Sequence, residues 1–222
     1  MHNARTARPL VVTMVLGLVT ACAAPQPPAA WDGLEYRAVR GVDAVHVRPG
    51  VEFASYQTVL IDPVEISFDK NWDPNRVRGD LSSQMSAGDI QSLKDDMARE
   101  FRGVLAEELA RGGYRIVEQP AVDTLRLSPS IVDIYVSAPD AMTPGRSRSY
   151  TLEAGRMTLV MELRDGPTGQ LLARVVDQQA GTRTGRLQVT SGASNSADFR
   201  RVVSDWARKL REGLDAVNGR TG

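Results

Sequence analysis

The chain has 222 residues, of which 27 are basic and 27 acidic, so its formal net charge at pH 7 is zero. Proteins that bind nucleic acid usually carry a basic excess, and the balanced charge therefore argues against a nucleic-acid partner. Cys22 is the one cysteine, which excludes a disulfide within the chain and leaves the fold to be stabilised by its hydrophobic core.

The first 21 residues have the layout of a secretory signal. Arg5 and Arg8 precede an apolar run of 12 residues, 10–21, which ends in small residues. Because a membrane-spanning helix needs about 20 apolar residues, this run is too short to cross a bilayer. No other stretch is apolar enough to do so, and we expect no transmembrane span in the mature protein.

The end of this signal, Val19-Thr20-Ala21-Cys22, resembles the lipobox of bacterial lipoproteins. In that interpretation the Cys22 thiol carries diacylglycerol and its freed amine gains a third acyl chain, and two chains already suffice for stable anchoring. The alternative is a plain secretory signal that is cut near Ala24, with Cys22 lost in the discarded peptide. We predict lipid attachment at Cys22, with membrane lipid as the first partner.

A proline-rich tether follows the cysteine, with the sequence AAPQPPAA over residues 23–30. Such chains are extended at about 3.1 Å per residue, so these eight residues reach roughly 25 Å. Ala23 stands where many inner-membrane lipoproteins of Gram-negative bacteria carry an aspartate. By resemblance to that sorting rule we expect the outer membrane, rather than the inner, with the folded part facing the periplasm.

The hydrophobic pattern of the remaining chain predicts a strand, a helix, several strands and a second helix. Residues 56–68 are rich in aliphatic and β-branched residues and predict a strand that Pro63 interrupts. A helix follows, because Ser86 and Asp89 form a capping-box pattern, apolar residues recur at helical spacing, and Gly112-Gly113 ends the run.

Further strands are predicted before the closing helix, from alternating apolar residues and the turn sequence DGPTG. They cover residues 114–118, 123–138 with a break near Pro129, 155–165, 170–179 and, more weakly, 183–190. The closing helix is predicted over residues 197–217, with Phe199, Val203, Trp206, Leu210, Leu214 and Val217 on one face.

This order predicts an α+β fold, a mostly antiparallel sheet with two amphipathic helices packed on one face. The opposite sheet face is then either solvated or docked on something. The predicted organisation is a lipoprotein signal peptide over residues 1–21, the lipidated cysteine and tether over 22–35, and one periplasmic domain over 36–222.

Three segments resemble a family of bacterial lipoproteins that is known only as domain of unknown function 3313. They are VHVRPGVEFASYQTVLIDPVEI, AEELARGGYRIVEQP and FRRVVSDWARKLREGLD, and YQTVLIDPVE is the most specific part. The resemblance implies a lipoprotein and no established activity or catalytic residue. The plan also resembles auxiliary lipoproteins of ABC-type lipid transporters, in architecture and without a shared motif.

The residues that could carry catalysis are few. His46 is the one histidine left after signal removal, and no G-x-S-x-G sequence supplies a nucleophile. One histidine and no free cysteine also argue against a zinc site. We therefore expect His46 to be partly exposed in a segment that leads into the domain, and we predict no catalytic residue, metal or cofactor.

One loop resembles the start of an EF-hand, because four oxygen-bearing residues occupy alternate positions: Asp69, Asn71, Asp73 and Asn75. The sixth position of that motif is a glycine and the twelfth a glutamate, whereas this chain has Pro74 and Asp80 there. An ordinary polar loop is therefore the preferred interpretation.

Charged residues elsewhere fall into two groups. Arg146, Arg148, Arg183 and Arg186 lie in polar links, where a guanidinium suits the phosphate of a lipid or an acidic partner, and solvated loops are the alternative. Asp62, Glu65, Asp133 and Asp177 lie in strand contexts, where we expect them to face solvent or strand neighbours.

Together these observations predict a non-enzymatic lipoprotein of the cell envelope that serves as a binding or accessory subunit, with an envelope protein as a further candidate partner. The alternative is an auxiliary subunit of an ABC-type lipid or envelope transporter. An uncharacterised enzyme ranks third.

The lipobox predicts that Cys22→Ala abolishes both fatty-acid labelling and normal processing of the chain in cells, because the modified thiol is lost. Metabolic labelling with a radioactive fatty acid, followed by electrophoresis, measures this. Label that persists in the variant would exclude Cys22 as the attachment site.

The broken EF-hand pattern predicts that millimolar calcium leaves the melting temperature of the protein unchanged. Thermal unfolding with calcium and with chelator tests this. An upward shift of several degrees that is lost in Asp69→Ala would establish a calcium site in this loop.

Overall fold

Nine strands form one mixed sheet within the part of the chain that the computed structural model describes, residues 30–75, 84–135, 156–180 and 192–219. The strands are β1 (Ala30–Trp31), β2 (Leu34–Arg37), β3 (Ala44–Val47), β4 (Thr58–Ile61), β5 (Glu65–Phe68), β6 (Arg115–Val117), β7 (Thr124–Tyr135), β8 (Arg156–Asp165) and β9 (Leu171–Ala180). Their order is β1-β2-β3-β9-β8-β7-β4-β6, and β5 pairs with β7 beyond the end of β4.

The sheet is mostly antiparallel, which confirms the predicted α+β class. The long strands β7, β8 and β9 form its centre, and β1, β2 and β3 extend it antiparallel on the β9 side. The pairs β4·β6, β4·β7 and β5·β7 are parallel. The chain joins the sheet at Ala30, so the last residues of the segment predicted as tether pair with β2.

Two prolines that were expected to interrupt strands behave differently. Pro63 separates β4 from β5, as predicted. Pro129 lies inside the continuous strand β7. On the side of β4 and β5 it has no paired residue, because the last β4 pair is Ile61 with Leu127 and the first β5 pair is Glu65 with Ser130. The missing N–H therefore falls in the gap between two partner strands, and the predicted break there is wrong.

The first helix, α1 (Ala87–Arg111), begins and ends as predicted. The Asp89 N–H donates to Ser86 Oγ over 3.2 Å and the Ser86 N–H donates to Asp89 Oδ2 over 2.9 Å, which closes the capping box. Gly113, with a φ of 79°, ends the helix in the left-handed conformation. The buried face consists of Leu93, Met97, Phe101, Leu105 and Leu109.

The second helix, α2 (Gly192–Val217), begins five residues earlier than residue 197 and ends where predicted, before Asn218 and Gly219. Phe199, Val203, Trp206 and Leu214 are buried, as the stripe requires, whereas Val217 is 52% exposed. None of the helices in the described ranges is long and apolar enough to cross a bilayer.

Both helices pack on the same sheet face, and one continuous core joins them to the strands. On β8 the inward side chains are those predicted from its alternation: Met157, Leu159, Met161 and Leu163. The other face carries charged and hydroxyl side chains, among them Arg126, Ser128 and Glu162. The predicted strand over residues 183–190 lies outside the described residues.

Trp206 provides a test of this packing, because it is 3% exposed and its Nε1–H donates to Asp177 Oδ2 over 2.8 Å. Truncating a buried tryptophan costs about 3–5 kcal/mol, so Trp206→Ala should lower the melting temperature by at least about 6 °C. Thermal unfolding followed by circular dichroism measures this.

Arg208→Ala is the matched control on the same helix, since Arg208 pairs with Asp205 and Glu212 at the surface. Its melting temperature should stay close to that of the unmodified protein. An unchanged melting temperature in Trp206→Ala would mean that the helix does not depend on this contact.

Candidate functional site

An apolar cavity of about 300 Å³ lies between the sheet and the two helices. Its floor consists of β3, β8 and β9, where Val45, Met161 and Val175 point towards the helices. Its roof is mainly α2, from Trp206 to Val217, with Phe101 and Leu105 of α1 at the back. All the lining residues are apolar or glycine except Arg37, Asp177 and Lys209.

The cavity opens at a mouth that we define by four exposed lining residues: Arg37, Val39, Gly213 and Val217. Arg37 ends β2 and Val39 lies in the turn that leads to β3, whereas Gly213 and Val217 belong to the last turns of α2. Val39 is 46% exposed and Val217 is 52% exposed, so two apolar side chains stand in water at the rim. A Cβ added at Gly213 would meet no atom within 4 Å, which leaves open space on the helix side.

Asp177 of β9 is the one carboxylate in the cavity wall, and it is 3% exposed. Its Oδ2 accepts hydrogen bonds from Trp206 Nε1 at 2.8 Å and Gln179 Nε2 at 2.9 Å, and its Oδ1 accepts from the Asp43 N–H at 3.2 Å. The expectation that Asp177 faces solvent or strand neighbours is therefore wrong in part. It bonds strand neighbours, but it is buried beneath α2, which periodicity within one strand does not reveal.

Lys209 lies beside this carboxylate and is held in the charged form. Its Nζ is 2.9 Å from Asp205 Oδ2 and 3.4 Å from Asp177 Oδ2. Burial by itself would lower the pKa of Lys209, but the hydrogen bond to Asp205 and the charge of Asp177 raise it above the ordinary value. An ammonium group held in this way is a poor nucleophile and a poor base.

His46 belongs to β3 and is fully buried, so the expectation of a partly exposed histidine in a lead-in segment is wrong. It alternates with Val45 and Val47, which line the cavity, and it therefore faces away from the helices. The rings of Trp31 and Tyr36 lie edge-on to it, with centroids at 5.9 Å and 5.6 Å. The short segment AVHV gave too little alternation to be identified as a strand.

Ion pairs cover the opposite face of the sheet. Glu162 lies between Arg164 and Arg174, with oxygen–nitrogen distances of 2.5 Å and 2.7 Å. Burial would raise the pKa of Glu162, but hydrogen bonds from Arg174 and Arg164 lower it below the ordinary value. The Arg174 guanidinium also stacks 4.2 Å from the centroid of Trp31 and pairs with Asp32 at 2.9 Å.

Asp62 and Glu65 bond neighbouring strands, whereas Asp133 is exposed. Asp62 accepts from Arg126 Nε at 2.8 Å, and Glu65 accepts from Ser130 Oγ at 3.3 Å, so both bond strand neighbours as expected. Asp133 has a φ of 55° and lies at the irregular pairing near the end of β7.

The loop that resembles an EF-hand uses its carboxylates for its own turns. Asp69 Oδ1 accepts from the Asn71 N–H at 2.8 Å, and Asp73 Oδ1 accepts from the Asn75 N–H at 2.9 Å. The hydrogen bond from the Asn71 backbone, together with Arg156, lowers the pKa of Asp69. Within the described ranges, no three His, Cys, Asp or Glu side chains converge as a metal site.

Several residues singled out from the sequence lie outside the described residues: Cys22, Asp80, Arg146, Arg148, Arg183 and Arg186. The cavity itself was not predicted. The feature of the sequence that could have indicated the cavity is the set of valines at positions 39, 42, 45 and 47, all of which line it. They run from an exposed turn into β3.

Solved structures similar to the chain include two proteins of low sequence identity. PelC from Paraburkholderia phytofirmans, a dodecamer, is 14% identical with a TM-score of 0.37, over 75% of this chain and 96% of that chain. A minor lipoprotein from Acinetobacter baumannii is 13% identical with a TM-score of 0.38, over 72% and 94%. No curated protein sequence matches the chain.

A family model agrees with the resemblance found in the sequence. The sequence model of the family DUF3313, whose description is "protein of unknown function", matches residues 30–210. The match begins at the first residue of β1 and ends within α2, so it contains the whole sheet and the cavity lining as far as Leu210. The chain is a member of the DUF3313 family.

Proposed function

We propose that the protein is a non-enzymatic, lipid-anchored binding protein of the cell envelope, and that its cavity holds an apolar ligand. The observation that carries this proposal is the cavity, about 300 Å³ in volume and open at one end. Small-molecule sites occupy about 300–1,000 Å³ and are lined mainly by apolar side chains with a few polar groups. This cavity has that composition at the lower end of that size range.

A packing defect is a weaker explanation of the cavity. Protein interiors are close-packed, with few voids larger than a water molecule. Apolar cavities of about 150 Å³ already bind small apolar molecules, and the present one is larger. Its exposed rim valines, Val39 and Val217, also give a ligand a path from the surface.

Binding is favoured over catalysis because the charged groups of the wall are already committed. Asp177 accepts from Trp206, Gln179 and the Asp43 backbone, and Lys209 pairs with Asp205. A general acid or base must be able to exchange a proton with a substrate at the working pH. Neither group is arranged for that task.

The anchor is proposed from the sequence alone. The lipobox at Cys22 supports acylation, and Ala23 supports the outer membrane over the inner, with the domain facing the periplasm. In this arrangement the binding domain stays within reach of membrane lipid. An accessory role beside an envelope protein is compatible with the same anchor.

Gly213→Trp provides a direct test, because the new indole enters open space at the mouth and removes no core side chain. We expect it to weaken binding of the fluorescent fatty acid cis-parinaric acid by about tenfold or more, equivalent to about 1.4 kcal/mol. Fluorescence titration measures this. Replacing a helical glycine also removes an unfavourable residue, so the helix should be preserved.

Gly103→Trp is the matched control. Gly103 is an exposed glycine of α1, a Cβ there also meets no atom within 4 Å, and it does not line the cavity. This variant should bind cis-parinaric acid as the unmodified protein does. Equal binding by both variants, or no binding by the unmodified protein, would contradict the proposed function.

A further inference from the structure

We infer that the mouth of the cavity docks on an anionic membrane surface, and that the ligand is an acyl chain of a lipid in that membrane. This inference rests on the proposed function, since it names the ligand of the same cavity. It is supported by three features: where the chain enters the fold, where apolar side chains are exposed, and where arginines flank them.

The point at which the chain enters the sheet places the mouth on the side of the anchor. Ala30 pairs with Glu35, and β1 runs antiparallel to β2, so the chain arrives from the end of β2 that carries Arg37. Arg37 lies about 7 Å beyond Glu35 along the strand. Eight peptide units separate Cys22 from Ala30, and they span at most about 29 Å. A lipid on Cys22 therefore keeps the Arg37 end of the domain near the bilayer.

Three exposed apolar side chains lie at the same end. Five large apolar residues in the described part of the chain are exposed: Trp31, Tyr36, Val39, Val122 and Val217. Val39 and Val217 belong to the mouth, and Tyr36 directly precedes Arg37 on β2. Trp31 pairs with Leu34 at the other end of β2, and Val122 lies between β6 and β7. Aromatic and aliphatic side chains of this kind favour the boundary between lipid headgroups and acyl chains.

The charges of the β2–β3 turn match an anionic surface. Arg37 and Arg40 flank Val39, and both are exposed. Arg37 forms an ion pair with Glu35, in which a guanidinium nitrogen lies 3.0 Å from a carboxylate oxygen, and both side chains are exposed to solvent. The turn contains one acid, Asp43, whose Oδ2 accepts a hydrogen bond from the Gln178 N–H at 2.8 Å. This carboxylate is therefore bound to the sheet. Guanidinium groups beside an apolar opening suit the phosphate of a lipid whose acyl chain enters the cavity.

Vesicle co-sedimentation tests the docking surface. The probe is unilamellar vesicles of phosphatidylcholine and phosphatidylglycerol in equal amounts, compared with pure phosphatidylcholine. The protein is the mature chain, residues 22–222, with Cys22→Ala so that no acyl chain of its own attaches it. One arginine near an anionic membrane surface changes the partition coefficient of a protein between water and membrane about fivefold. Arg40→Glu should therefore weaken binding to the anionic vesicles by at least about that factor.

Val39→Asp should weaken vesicle binding by a similar or larger factor, because it removes an apolar side chain and adds a repelled charge. Val122→Asp is the matched control, since Val122 is 90% exposed and lies between β6 and β7, away from the mouth. It should bind vesicles as the unmodified protein does. Circular dichroism melting of each variant verifies that it is folded.

The two proposals can fail separately. If the protein binds soluble cis-parinaric acid but does not bind vesicles, the docking surface is wrong and the cavity function stands. The same conclusion holds if it binds cis-parinaric acid and Val39→Asp and Val122→Asp bind vesicles equally. If Val39→Asp still binds vesicles but no longer crosslinks in cells to an envelope protein that the unmodified protein contacts, the mouth is a protein contact and the lipid inference is overturned. Loss of vesicle binding in Val39→Asp and Arg40→Glu, with Val122→Asp unaffected, supports the inference.

Discussion

The hydrogen bond from Trp206 to Asp177 is the contact on which the functional part of the fold depends. It joins α2 to β9 through a carboxylate that is 3% exposed, and Gln179, Lys209 and the Asp43 backbone also contact that carboxylate. Removing the donor of a buried hydrogen bond costs about 1–3 kcal/mol, because the acceptor is left buried without its partner. The helix is therefore held firmly at Trp206, and the three turns that follow roof the cavity as far as Val217.

The two faces of the sheet have opposite chemistry, and each contributes to the site. The inner face is apolar and packs against the helices, which leaves the cavity beneath α2. The outer face holds the β1–β2 hairpin through Arg174, which pairs with Asp32 and stacks on Trp31. Exposed ion pairs contribute little individually, but Arg174 is largely buried and has several partners. It thereby fixes the strand that leads to Arg37 at the mouth.

Local patterns predicted the regular elements because their causes are local. The capping box at Ser86, the glycine pair after α1 and the DGPTG turn each act within a few residues, and the structure has them where they were predicted. The first strands were missed, since segments of two to four residues carry too little alternation. Pro129 misled the prediction, because its effect depends on whether a partner strand lies beside it.

The sequence by itself determined the α+β class, the two helices with their buried faces, and the candidate anchor at Cys22, because each depends on periodicity or on a contiguous motif. Only the tertiary structure decided that His46 and Asp177 are buried, that β4 and β5 pair in parallel with β7, and that a cavity opens beside Gly213. These features bring together residues more than a hundred positions apart, such as Arg37 and Val217. No local pattern specifies such a meeting, which follows from how the sheet and helices pack.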